Sequence, residues 1–209
     1  MKNYVITIAR GYGSGGRTIG QMLAKELNIP YYDRELMRLA SDESGINEEL
    51  FAKADEKLKQ SLLFKIAKKE YNGELIPPDR EEFVSNDNLF AYQAKVIKDL
   101  AAEGPCVIVG RCADYILRDL PHAVRLYIHA PLADCVARTK GKLPGDDKER
   151  EKQILAIDKR RAAYYKYYTG KEWTDAGNYD LCLNTNHLDY ETCVKITKSF
   201  LEIIPERIS

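Results

Sequence analysis

Long apolar runs are missing from this chain. No stretch of its 209 residues approaches the roughly 18 needed to cross a bilayer, and Met1-Lys-Asn-Tyr leads straight into a strand-like segment rather than an apolar leader. A soluble cytoplasmic protein without a membrane partner is expected. Cysteine is sparse and irregular: Cys106, Cys112, Cys135, Cys182 and Cys193 are odd in number and form no C-x-x-C pair. That argues against a disulfide framework or a structural zinc, and the five are expected as small core hydrophobes. The three histidines, His122, His129 and His187, are scattered, which disfavours a histidine metal centre. Neither sign of charge is in excess, with Lys plus Arg and Asp plus Glu both at 32. No global attraction to nucleic acid follows. Internal repeats and low-complexity tracts are also absent.

What is present is organised around the amino-terminal stretch. Val5-Ile-Thr-Ile-Ala9 reads as a short buried strand, Arg10-Gly-Tyr-Gly-Ser-Gly-Gly-Arg-Thr18 as a glycine turn, and the following residues as a helix with Ile19, Met22, Leu23 and Leu27 on one face. A turn of this kind is an anion site, because the amides at a helix start point outward together and the helix dipole adds partial positive charge. Two motifs overlay the same residues. Gly11, Gly16, Arg17 and Thr18 fit the phosphate loop G-x-x-x-x-G-K-[ST], with arginine in place of lysine, while Gly11, Gly13 and Gly16 fit the dinucleotide fingerprint G-x-G-x-x-G. The second reading even finds an acid, Asp33, where a ribose-binding carboxylate would sit. A glycine turn with no ligand is the third possibility. Chain length bears on the choice, since 209 residues suit one α/β domain and a dehydrogenase usually adds a substrate domain.

Further along, residues 34–41 read as a short helix broken at Ser44-Gly45. Residues 46–86 look like a polar helical excursion carrying Leu50, Phe51, Leu58, Leu62, Leu63 and Ile66, with loop signals at Asn72-Gly73 and Pro77-Pro78. Residues 88–103 form a stronger helix that Gly104-Pro105 stops. Cys106-Val-Ile-Val109 is a buried strand with Gly110-Arg111 at its carboxyl end, where open α/β sheets bind ligands. Val124-Arg-Leu-Tyr-Ile-His129 and Tyr179-Asp-Leu-Cys-Leu-Asn184 complete the strands. Pro131 opens one more helix after the former, and residues 189–204 form the last. Strands alternating with helices predict a parallel, doubly wound α/β sheet of about five strands.

Charge is uneven in one place. Between Arg138 and Lys171 there are eleven basic residues against five acids. A helix over residues 147–168 would align Ile154, Ile157, Arg161, Tyr164 and Tyr168, with Asp158 adjacent. A carboxylate and a guanidinium beside an apolar stripe usually meet a partner or a ligand, because burying either alone is costly.

With these residues in hand, the chain resembles the cytidylate kinase-like branch of the nucleoside monophosphate kinases over nearly its whole length. Ile8-Ala-Arg-Gly-Tyr-Gly-Ser-Gly-Gly-Arg-Thr18 resembles the branch's phosphate loop, and Tyr32-Asp33-Arg-Glu-Leu36 its acidic turn after the second strand. Val109-Gly-Arg111 resembles its G-R element, Asp158-Lys-Arg-Arg161 its D-x-x-R, and the segments from Tyr164 to Trp173 and from Asn178 to Thr185 are typical of it. The resemblance implies a P-loop NTPase-type three-layer α/β/α fold in a single domain, with a helical nucleotide-binding insertion at 46–86 and a lid at 141–173. It implies ATP as phosphoryl donor, Mg²⁺, and CMP or dCMP as acceptor. On this reading Gly11, Gly13, Ser14, Gly15 and Gly16 cradle the donor phosphates, Arg17 reaches the β and γ oxygens, and Thr18 ligates the metal. Arg111 clamps the acceptor's phosphate, Asp33 accepts a ribose or base hydrogen bond, and Asp158 with Arg161 completes the acceptor site. Some of Arg138, Arg150 and Arg160 close over the transferring group. Arg17, Arg111, Asp158 and Arg161 are thus the candidate catalytic residues. Two departures matter: Cys112 and Ala113 separate the G-R pair from Asp114, and Ile154 stands where a further arginine is usual. The alternatives are a kinase of this fold with another nucleotide or metabolite acceptor, and a nucleotide-binding regulatory protein without turnover.

Overall fold

A computed structural model describes residues 4–51, 74–78 and 80–204. Its frame is a five-stranded, all-parallel sheet in the order β2-β3-β1-β4-β5. The strands are β1 (Val5–Arg10), β2 (Tyr31–Tyr32), β3 (Cys106–Val109), β4 (Ala123–His129) and β5 (Leu181–Asn184). Between them run α1 (Gly16–Leu27), α2 (Glu35–Ser44), α3 (Asn86–Glu103), the single turn α4 (Ala113–Ile116), α5 (Leu132–Arg138) and α6 (Asp147–Thr169), and α7 (Tyr190–Ile203) follows β5. This is the expected three-layer P-loop architecture.

Side-chain alternation along the strands divides the core in two. Ile6, Ile8, Val107, Val109, Leu126 and Ile128 face α1 and α7, meeting Ile19, Leu23, Cys193, Val194 and Leu201. Val5, Ala9, Cys106, Ile108 and Ala123 face the other way, onto Leu36, Phe90, Ile97, Ile116, Tyr165, Tyr168 and Trp173. Each fully buried aliphatic side chain contributes about 1.5–3 kcal/mol, so both layers are strongly held. Central β1 places its carboxyl end, and the glycine turn that follows, at the crevice where the direction of winding reverses.

Local chemistry sets the helix ends. The Ser85 hydroxyl caps α3, Asp146 and Glu149 form a reciprocal capping box on α6, and the Asp189 carboxylate caps α7. Gly45 and Gly170 close α2 and α6 in the left-handed conformation.

Some expectations shift. Four cysteines are buried as expected, but Cys182 is exposed, because β5 is an edge strand whose inward positions are taken by Leu181 and Leu183. The last strand starts at Leu181 rather than at Tyr179. The Asp180 carboxylate is pinned by the backbone amide and guanidinium of Arg125, and the Tyr179 hydroxyl donates to the Trp173 carbonyl at 2.6 Å. Much of the expected helical excursion, including Leu58, Leu62, Leu63, Ile66 and the Asn72-Gly73 turn, lies outside the described residues. Its ends are anchored: Ile46 and Phe51 are buried, and the Asn88 carboxamide knits the return by bonding to Ile76 and Phe83. In the 141–173 segment the carboxyl-terminal half of α6 is part of the core, with Tyr168 stacked on Phe90 at 3.9 Å.

Candidate active site

The glycine turn forms the first half of the site. Gly13 and Gly15 have positive φ of 81° and 87°, and α1 begins at Gly16. A Cβ on Gly13 would lie 2.9 Å from the Cys135 carbonyl oxygen, so glycine is required there for space as well as for conformation. Ser14 is buried beneath the loop. Its hydroxyl donates to the Gly11 carbonyl at 2.8 Å, and its own carbonyl accepts from the Thr185 hydroxyl at 2.9 Å. Arg138 in turn donates to the hydroxyl and carbonyl of Thr185, both at 2.7 Å. The Asp158 carboxylate on α6 receives the Tyr12 amide at 3.0 Å, bracing the loop from the opposite side. Above this loop is a cavity of about 170 Å³, lined by Gly11, Gly13, Gly15, Gly16, Thr18, Tyr190, Arg10, Arg17, Arg138, Lys142 and Arg161, among others. Among the described residues none of those lining it is acidic.

A second cavity, of about 320 Å³, lies beside it at the ends of β1 and β3. Here the chain turns through three consecutive positive φ values, Gly110 at 78°, Arg111 at 59° and Cys112 at 55°. Two of these residues are not glycine, a strained arrangement that turns Arg111 into the cavity and Cys112 into the core. Arg111 rests on Met37, with Nη2 3.2 Å from Sδ. The walls add Asp33, Asp114, Arg160, Ile157, Tyr164, Tyr165 and Trp173. Asp114 is buried and accepts the Tyr165 hydroxyl at 2.7 Å. Burial raises the Asp114 carboxyl above its ordinary value and, with Asp114 beside it, raises the Tyr165 phenol strongly.

Arg10, Arg17 and Arg161 line both cavities and form the border between them. Arg17 places Nε 2.6 Å from the Asp33 carboxylate. Arg161 donates to Asp158 at 3.0 Å and to the Arg10 carbonyl at 3.2 Å. Burial and the neighbouring Arg161 push the Arg10 guanidinium down to about 9, with Asp33 opposing. Burial lowers Arg161 as well, and it raises Asp158 against the pull of the Tyr12 amide and Arg161. Positive charge crowded between two concave spaces is suited to an anion that reaches from one into the other.

A model of the cytidylate kinase-like family matches residues 5–187. The chain belongs to the cytidylate kinase-like family. Among curated relatives, a cytidylate kinase from Methanopyrus kandleri is 25% identical over 215 residues, covering 97% of this chain and 95% of that protein. Among solved structures, an uncharacterised protein from Eubacterium ventriosum superposes with a TM-score of 0.70 at 23% identity, over 96% of this chain and 99% of that one. A shikimate kinase from Bacteroides thetaiotaomicron gives a TM-score of 0.56 at 12% identity, over 97% of this chain and 100% of that one. These structural likenesses establish the fold. The family makes the chain a nucleotide-binding phosphotransferase of the kinase class, and the dinucleotide oxidoreductase reading falls.

Against this family background the candidate residues take definite places. Gly11, Gly13, Gly15, Gly16, Arg17 and Thr18 face the first cavity, and Ser14 supports it from below. Asp33, Arg111, Arg17 and Arg161 face the second. Asp158 lines neither cavity and instead holds the loop through Tyr12. Of the three arginines expected to close over the site, Arg138 is at the first cavity and Arg160 at the second, whereas Arg150 is turned onto the Gly145 carbonyl and the Asp147 carboxylate. Among the described residues no group of three or more His, Cys, Asp or Glu side chains is placed to hold a metal. The exposed Thr18 at the first cavity fits a Mg²⁺ ion carried mainly by phosphate oxygens and water. No described helix is long and apolar enough to cross a membrane. Sequence reasoning missed Arg10, Asp114, Tyr165, Lys142, Thr185 and Tyr190. Arg10 had a readable signal, since it ends β1 at the same sheet edge that singled out Arg111 after β3.

Proposed function

We propose that the chain transfers the γ-phosphoryl group of ATP to a nucleoside monophosphate, with CMP or dCMP the first candidate. The observation that carries this is the shared wall: an amide-rich cavity and a side-chain-rich cavity meet at Arg10, Arg17 and Arg161. Phosphoryl transfer requires little else than positioning of two phosphates and neutralisation of spread negative charge. The loop amides would hold the donor's β-phosphate. Arg111 would hold the acceptor's phosphate by two parallel hydrogen bonds. An acceptor phosphate oxygen then bonds to the γ-phosphorus as the bond to the β-bridging oxygen breaks, and ADP leaves. Arg17 would move from Asp33 to the incoming polyphosphate, freeing the carboxylate to accept an acceptor hydroxyl. Trp173 and Tyr164 offer the second cavity an aromatic wall for a base. Mg²⁺, when bound at Thr18, would neutralise the β and γ oxygens.

Because Tyr165, Tyr168 and Trp173 are core residues, closure of the 141–173 segment would be confined to its first part. Hinging near Gly141 and Gly145 would carry Lys142 over the first cavity and shed water that competes for the phosphoryl group.

The test is an ADP-release screen with ATP, Mg²⁺ and a panel of nucleoside monophosphates. Release that depends on a cytidine nucleotide is expected. Release supported only by a hydroxylated metabolite would replace the acceptor, and no acceptor-dependent release at all would leave a binding protein without turnover.

A further inference from the structure

Arg10 stands apart from the other cations of the site. Its side chain is 15% exposed, against 43% for Arg17, and its Nε, like that of Arg17, is buried without a well-formed hydrogen bond among the described residues. The groups facing it are mostly of its own sign: Arg161 from α6, Arg17 from α1 and Arg111 after β3. Asp33 is the nearest carboxylate, 3.9 Å away. Arg17, by contrast, has Asp33 at 2.6 Å. A buried cation among cations is costly unless an anion completes the site.

The glycine pattern of the loop is built around this side chain. α1 starts at Gly16, and a Cβ there would lie 2.6 Å from the Arg10 Cβ and 3.1 Å from its Cγ. The Arg10 stem therefore occupies the space that a side chain on the first helical residue would need. Its guanidinium runs on against Gly110, where even a methyl group would overlap it. The tip thereby reaches the border of both cavities.

We propose that Arg10 is the fixed cation of this phosphate loop, reaching the transferring phosphoryl group from the strand side, and that Gly16 lacks a side chain in order to admit it. This rests on the kinase reading for its catalytic part, whereas the anion site itself does not. Arg17 then acts as the mobile partner, held by Asp33 until polyphosphate arrives. Loss of a preorganised charge contact of this kind typically lowers turnover by about 10²-fold.

The experiment measures binding of inorganic tripolyphosphate by calorimetry, with melting temperatures and acceptor-dependent turnover alongside. Arg10→Met keeps the stem volume and removes the charge. It is expected to lose about 10²-fold in turnover and most tripolyphosphate affinity, and to melt no lower than the wild type, since it relieves buried like-charge repulsion. The swap Arg10→Gly with Gly16→Lys moves the cation to the first helical residue. It is expected to bind tripolyphosphate better than either Arg10→Gly or Gly16→Lys alone. Undiminished tripolyphosphate affinity in Arg10→Met, or a swap no better than its parents, would overturn the proposal. A lowered melting temperature with intact binding would do so too, by showing a structural role. Tripolyphosphate carries no nucleoside, so this outcome is independent of whether the acceptor screen finds turnover.

Discussion

The two cavities are made by different means. The smaller is made largely from one contiguous stretch, residues 10–18, and much of what it offers a ligand is backbone. The larger draws side chains from far-separated segments, Asp33, Met37, Arg111, Asp114, Arg160 and Trp173 among them. A backbone site is held by where glycine is allowed, so it tolerates variation in side chains and recognises phosphate as such. A side-chain site changes its ligand with each substitution. The first should therefore be the general half of the enzyme and the second the specific half.

The largest break in that comparison is expected from Arg111→Ala. Removing this guanidinium should cost the acceptor about 2–5 kcal/mol, read as a raised KM or lowered kcat, with ATP affinity almost intact. Equal damage to ATP binding would place Arg111 in the wrong cavity.

Gly13→Ala should act on the other half. It combines a positive φ with a Cβ forced to within 2.9 Å of the Cys135 carbonyl, a backbone atom that cannot swing away. A cost of about 1–3 kcal/mol is expected, appearing in ATP affinity while acceptor binding measured alone is unchanged. Asp158→Asn is expected to cost about 1–2 kcal/mol, because the Tyr12 amide and Arg161 both lose charge-assisted bonds. As a brace, Asp158 should affect ATP affinity more than acceptor KM, whereas as the acceptor-site residue that the resemblance implies it would show the reverse ranking.

The smallest effect is a pH dependence inside the second cavity. The Asp114 carboxyl is raised by burial, opposed by the Tyr165 hydroxyl and by Arg125. The folded state then binds more protons than the unfolded state, so stability falls as pH rises from about 4 through the raised value. Asp114→Asn abolishes this titration. The melting temperature of the variant relative to wild type should climb between pH 4 and pH 8, and a flat difference would show that the carboxyl is not perturbed.

Legibility in the sequence follows the same division. The strand, glycine turn and α1 were readable because local pattern determines them, and the alternation of strands with helices gave the parallel sheet. The family resemblance lay in spaced motifs that survive at low identity. The inner half of the second cavity was not readable, because Asp114, Tyr165 and Trp173 converge only when α4, α6 and the following turn pack together. Asp158 was readable as important but not as a brace. Its partner is a backbone amide, and no side-chain pattern announces a backbone amide. Arg10 had a signal of another kind: it ends β1 just ahead of the glycine turn, whereas the motif's own cation position is filled by Arg17 at the start of α1.

The central claim is that the cavities are donor and acceptor subsites meeting at Arg10, Arg17 and Arg161. Its most direct test is calorimetric binding of an analogue that joins adenosine to cytidine through a polyphosphate chain. The expected result is affinity well above that of ATP or CMP alone, with both displaced when the analogue binds. An analogue that binds no more tightly than ATP, to an enzyme that still takes up CMP, would contradict it.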